Sequence, residues 1–176
     1  QEGKEIVRLS ENQGYEYQEV DKLGKITYKE DYFKIHIDKV LSLPLVDFKA
    51  IREARFKVVV DGVNSTGGIA IPMLLKALGV EEIHELYCKP DGKFPHNPEP
   101  LPEHLSALSS EVRYKKAHLG ISVDPDVDRL ALVQEDGEFF GEEYTLVSVA
   151  DYVLQNNPGN TVSNLSSTKA LRDITE

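Results

Sequence analysis

The run Phe56-Lys57-Val58-Val59-Val60 constrains this chain more than any other stretch. Its continuous β-branched character over a few residues fits a strand covered on both faces, not a helix. The residues after it narrow the choice. Asp61-Gly62-Val63-Asn64-Ser65-Thr66-Gly67-Gly68 reads as a turn, and Ile71, Met73, Leu74, Leu75 and Leu78 then mark a helix that Gly79 ends. Pro72 suits that helix only in its first turn. A second strand over about residues 82–87 completes a strand–helix–strand unit, whose two strands must run parallel.

The flanking pattern extends this unit into a sheet. Phe33, Ile37, Val40 and Leu41 fall on one helical face before Pro44, and Asp47 is placed to cap a short helix through about Arg52. After a proline-rich loop over residues 89–102, Leu105, Leu108 and Val112 mark another helix, and Leu119 to Val123 a third strand. Leu130 to Glu135 returns as a strand, Asp136-Gly137 turns, and Glu138-Phe139-Phe140 continues as a short antiparallel partner. Leu146, Val149, Ala150, Val153 and Leu154 form the apolar stripe of a last long helix, which Asn156-Asn157-Pro158-Gly159 stops. The expected class is α/β: a three-layer α/β/α domain around a mixed, mostly parallel sheet of about four strands with an antiparallel edge strand. Residues 31–158 form that domain. Residues 1–30, with no sustained apolar period, read as an arm or linker from a preceding domain, and residues 159–176 as the strand, turn and helix that open a following one.

Between the third and fourth strands lies Asp124-Pro125-Asp126-Val127-Asp128-Arg129. Three carboxylates at alternate positions repel one another, so a cation offsets them or one is pushed toward protonation. All-oxygen ligands suit a hard ion such as Mg²⁺ or Ca²⁺. Because the loop follows a buried strand, it sits at the carboxyl end of the sheet, where open α/β folds place ligands. A solvated acidic turn with Arg129 as internal counter-ion is the plainer alternative. An EF-hand is excluded, since Arg129 occupies the position that needs glycine and strands flank the loop. Asp124 as the nucleophile of a haloacid-dehalogenase-type phosphatase, forming an aspartyl phosphate, stays open, as does a non-catalytic cation-binding module.

Composition removes other classes. The formal net charge of −10 and the lack of any extended Lys/Arg patch argue against a nucleic-acid surface. No apolar run approaches the ~20 residues of a membrane span. A lone cysteine, Cys88, fits a reducing compartment and a buried apolar role, and the chain reads as cytoplasmic. The Asp61–Gly68 turn lacks the lysine of a P-loop and the glycine spacing of a dinucleotide site, so it reads as a strand-to-helix turn. Histidines 36, 84, 96, 104 and 118 form no ligand pair, and His96 reads as exposed in the proline-rich loop.

Taken together, Gly120 to Arg129, the Leu130-Ala131-Leu132-Val133 strand, Asp136-Gly137-Glu138-Phe139-Phe140-Gly141 and Val58 to Gly68 resemble the α-D-phosphohexomutase family of phosphoglucomutases and phosphomannomutases, over roughly residues 31–158. Asn164 to Asp173 resembles the start of that family's third domain. The resemblance implies that the chain is the second of four domains with flanking pieces. It further implies a phosphoserine that donates its phosphoryl group to a hexose phosphate and recovers one from the bisphosphate. Asp124, Asp126 and Asp128 would hold one Mg²⁺, completed by a phosphoserine absent from this chain. Arg129 would be the catalytic arginine that contacts phosphoryl oxygens. Pro125 stands where many members carry glycine. No phosphoserine loop or sugar loop occurs here, and Pro95-His96-Asn97-Pro98 lacks the serine of the former. The implied partners are hexose phosphate, hexose bisphosphate and the flanking domains, with no nucleic acid or membrane, and the chain alone is expected to be inactive.

Overall fold

The computed structural model describes residues 2–12 and 15–175. The chain divides into two compact units, residues 1–32 and residues 33–176. In the first, α1 (Glu2–Glu11) buries no residue and carries a Glu5–Arg8 ion pair, and among the other described residues one 3-10 turn, Val20–Lys22, interrupts irregular chain. The helix is not evident from apolar periodicity because its Ile6 and Val7 stay exposed.

The second unit is organised on a four-stranded sheet of order β2-β1-β3-β4, with β1 (Lys57–Asp61), β2 (Glu82–Leu86), β3 (Leu119–Val123) and β4 (Leu130–Gln134). β1 pairs in parallel with both β2 and β3, and β4 closes one edge antiparallel to β3. The alternation of side chains across β1 divides the core in two. Val59 packs with Leu105, Leu108 and Val112 of the segment around α5 (Ser106–Lys115) and with Val133 of β4. Val58 and Val60 face the other way, onto Leu75 and Ile71 of α4 (Gly67–Leu78) and Ile51 of α3 (Phe48–Ala54). Helices therefore cover both faces, and the layering is α/β/α.

The helix ends follow local chemistry. The Asp47 side chain accepts the Ala50 N–H to cap α3, and α2 (Tyr32–Leu41) buries Ile37 before the chain turns at Pro44. α4 begins at Gly67, so Pro72 is its sixth residue and lies inside the helix, where no N–H reaches back to the Gly68 carbonyl. The early start arises because Gly67 and Gly68 themselves form the first turn. A Cβ on Gly68 would stand 2.6 Å from the Cys88 Cα, and one on Gly67 would collide with Val123. Only glycine lets the helix press this closely on the sheet.

Three other expectations give way. Glu138 to Phe140 forms no strand: pairing reduces to a Val133–Phe139 bridge before Gly141, at φ 93°, turns the chain into α6 (Glu142–Asn156). Among the described residues of α6 the buried one is Val147, while Leu146 and Val149 are half exposed, so the inward face is rotated from the stripe read in the sequence. Thr161-Val162-Ser163 finds no strand partner, and the chain reaches α7 (Ala170–Thr175), which packs on α6 through a segment organised by Asn164.

Candidate metal centre

β3 ends at Val123, and Asp124 is the first residue beyond it, nearly buried. Its Oδ1 accepts the backbone N–H groups of Asp128 and Arg129, each at 3.1 Å, and its carbonyl accepts the Val127 N–H at 3.2 Å. One carboxylate oxygen thus closes the loop upon itself. The turn requires φ 62° at Val127, a left-handed conformation costly for a β-branched residue. The Ser65 hydroxyl donates to the Pro125 carbonyl at 2.8 Å, tying the loop to the turn before α4.

This closure brings Asp124, Asp126 and Asp128 together. One carboxylate oxygen from each lies within 4.8 Å of the others, with Asp126 and Asp128 exposed. A hydrogen bond to Asp124, together with the charges of Asp126 and Asp124, holds the Asp128 carboxyl above its usual range, against the pull of Arg129. A proton relieves the crowding where a cation would do so more fully. Three carboxylate oxygens, one from each aspartate, supply the all-oxygen ligands that a hard divalent ion takes. The donor set therefore fits a hard divalent cation. Glu135 lies beyond the far end of β4, about 17 Å along the strand at ~3.4 Å per residue, too far to join the three aspartates around one ion.

Arg129 leaves the loop toward the proline-rich segment, where its Nη1 donates to Glu99 Oε1. Its Nε stands 3.9 Å from Asp124 Oδ2, an ion pair without a hydrogen bond. Glu99, which the sequence did not single out, is therefore part of this constellation. His96 is not the exposed loop residue expected: its side chain is 15% exposed and its Nε2 lies 3.0 Å from Oδ2 of Asp61, which has no exposed surface. Burial raises the Asp61 carboxyl above its usual range, opposed by the Val63 N–H and by His96. Nothing local in the sequence announces this pair, because its members lie 35 residues apart.

The Asp61–Gly68 turn is filled by its own structure. Val63 is fully buried, and the Asn64 side chain bridges Lys89 N–H and Lys93 O. Cys88 donates weakly to the Val60 and Leu86 carbonyls, and burial pushes its thiol up to about 11, which makes it a poor nucleophile at neutral pH. His118, at the opposite end of β3 from Asp124, accepts the Lys57 N–H, and His84 in β2 approaches Glu82.

Residues 34–137 match the family model described as phosphoglucomutase/phosphomannomutase, alpha/beta/alpha domain II. The chain belongs to this family. A phosphoglucomutase/phosphomannomutase of Thermococcus kodakarensis is 36% identical over 148 residues, covering 83% of this chain and 32% of that protein. A phosphoglucomutase of Neisseria meningitidis is 32% identical over 171 residues, covering 96% of this chain and 35% of that protein. The crystal structure of a phosphoglucomutase/phosphomannomutase family protein from Burkholderia thailandensis superposes with a TM-score of 0.67 at 26% identity, over 97% of this chain and 36% of that one. The chain thus spans about a third of the length of the curated relatives it matches. Those relatives are named as mutases, a class of isomerase. No helix among the described residues is long and apolar enough to cross a membrane.

Proposed function

We propose that this chain is the metal-loop domain of a Mg²⁺-dependent phosphohexomutase, which interconverts hexose 1-phosphate and hexose 6-phosphate through a phosphoserine and a bisphosphate. The observation that carries the reading is the convergence of Asp124, Asp126 and Asp128 at the carboxyl end of β3, in a chain of this family. The three aspartates hold the ion, with the phosphoserine of another domain as a further ligand. Mg²⁺, when bound, offsets the charge that spreads over the phosphoryl oxygens in transfer. Asp124 uses Oδ1 to fix the loop. Arg129 supplies a planar cation beside the site that contacts phosphoryl oxygens as they pass between serine and sugar.

On this reading residues 31–158 form the domain proper, residues 1–30 the connection from a preceding domain, and residues 159–176 the opening of the next. The sugar is chosen elsewhere, since relatives named for glucose alone and for glucose and mannose both match this chain. The chain alone, one phosphoryl ligand short, does not turn over substrate.

The test is Asp126→Asn in a complete mutase carrying this domain. Turnover of glucose 1-phosphate or mannose 1-phosphate falls by about 100-fold or more, the scale of losing a transition-state electrostatic contact, while the circular dichroism stays unchanged. Near-wild-type turnover contradicts the assignment. A phosphoryl group trapped on Asp124 instead of a serine points to an aspartyl-phosphate phosphatase.

A further inference from the structure

Glu99 is the side chain of the proline-rich loop that hydrogen-bonds the arginine of the aspartate loop, and its own backbone is held by its neighbours. The Glu99 N–H donates to Asn97 Oδ1 at 3.1 Å. Its carbonyl accepts the Leu101 N–H at 2.8 Å and lies 3.0 Å from His104 Nδ1. Upstream, the His96 ring is fixed at both nitrogens, Nδ1 at 2.7 Å from the Asn97 carbonyl and Nε2 at 3.0 Å from Asp61. The Asn97 carbonyl can only accept, so Nδ1 carries a proton, and the Asp61 contact is made through Nε2. Tyr87 packs edge-on against the same ring, with centroids 5.7 Å apart. Asp61 is in turn the last residue of β1, so the loop hangs from the centre of the sheet.

An arginine directly after three aspartates has an obvious competing use. Its guanidinium can fold onto their oxygens and take the place that a metal ion would occupy, since both neutralise the same charge. Here it does not: Nη1 goes to Glu99, and Nε stays 3.9 Å from Asp124. Glu99 is the acceptor that draws the guanidinium outward.

We propose that Glu99 is a positioning residue that holds Arg129 off the aspartates, leaving their oxygens to a divalent cation, and that the Asp61–His96 contact is the anchor keeping Glu99 in reach. The inference rests on the metal reading above and extends it. Removing the Glu99 charge lets Arg129 close on Asp124 and Asp128, so the ion must displace an internal cation. Variants of the Asp61–His96 anchor act in the same direction through the same arginine.

The test is a titration of the complete mutase with Mg²⁺ alone, read as heat of binding, in wild type, Asp126→Asn, Glu99→Gln, Arg129→Ala and the double variant of the last two positions. Glu99→Gln raises the apparent dissociation constant about two- to fivefold, the scale of a partly exposed ion pair, and does so only while Arg129 is present. His96→Ala weakens binding likewise, without adding to Glu99→Gln. Asp61→Asn, whose amide can accept from Val63 and donate to His96, retains wild-type affinity where Asp61→Ala loses it. An unchanged constant in Glu99→Gln, or an equal loss in the Arg129→Ala background, overturns the proposal while leaving the metal site standing. If Asp126→Asn also binds as wild type, the metal reading falls and this inference with it.

Discussion

Asp61 is a carboxylate with no exposed surface, and its energetics follow from that. Burial disfavours its charge, so the native carboxyl keeps its proton to higher pH than the unfolded chain, whose value is near 3.8. Between that value and the raised one the native state binds more protons than the unfolded state. Asp61's contribution to stability is therefore fully present below the window and is lost as pH rises through it. Asp61→Asn does not titrate. Urea unfolding across this interval is expected to show the variant gaining on wild type as pH rises, then a constant difference; the reverse slope would contradict the account. At this scale the sequence was only partly legible. Three alternating aspartates mark a candidate cation site by their mutual repulsion within six residues. Glu99, His96 and Asp61 announce nothing, because their relation exists only once the proline-rich loop is laid across the end of β1. His96 in particular reads as a surface residue until the buried carboxylate beneath it is seen.

Helices α3 and α5 both end on left-handed residues that are not glycine, Arg55 at φ 51° and Lys116 at φ 53°. At α5 the Lys116 N–H reaches Arg113 O and the Ala117 N–H reaches Val112 O at 2.9 Å, the paired closure that favours glycine at the turning residue. Lys116 is exposed, so replacing it gives up no packing. Lys116→Gly is expected to stabilise the domain by about 0.5–1 kcal/mol through relief of this strain, seen as a higher urea midpoint at unchanged slope. Elements were read best where apolar character alone decides them. Leu119 to Val123 is a strand as expected because both its faces are covered, and Gly79 ends α4 as expected because a left-handed cap was needed. Where a neighbour decides, the reading slipped. Pro72 lies deeper in α4 because two glycines that look like a turn are needed for close approach to Cys88 and Val123. The α6 stripe is a true helical period, yet among the described residues of that helix, which meets β4 and α7, it is Val147 beside the stripe that is buried.

The molecule as a whole places its acidic site where an α/β sheet offers one, beyond the carboxyl ends of parallel strands. β1 and β3 run side by side in the same direction. Their ends deliver Asp61 and Asp124 to the same edge, one to anchor a loop and the other to close a turn. The α4 turn binds this edge together through Ser65 and Pro125. Every element that meets there also belongs to one of the two core clusters or is tied to it, which is why a weakly structured acidic sequence becomes a fixed geometry. On the proposed reading this geometry holds a divalent cation. Mg²⁺ affinity of the complete mutase, compared between wild type and Asp124→Asn, tests it most directly. The amide oxygen of the substituted side chain would still accept the Asp128 and Arg129 N–H groups, so the loop persists with one ligand charge fewer. Asp124→Asn is expected to bind Mg²⁺ more weakly by about tenfold or more with the fold intact, and equal affinity in the two proteins would rule the aspartates out as ligands.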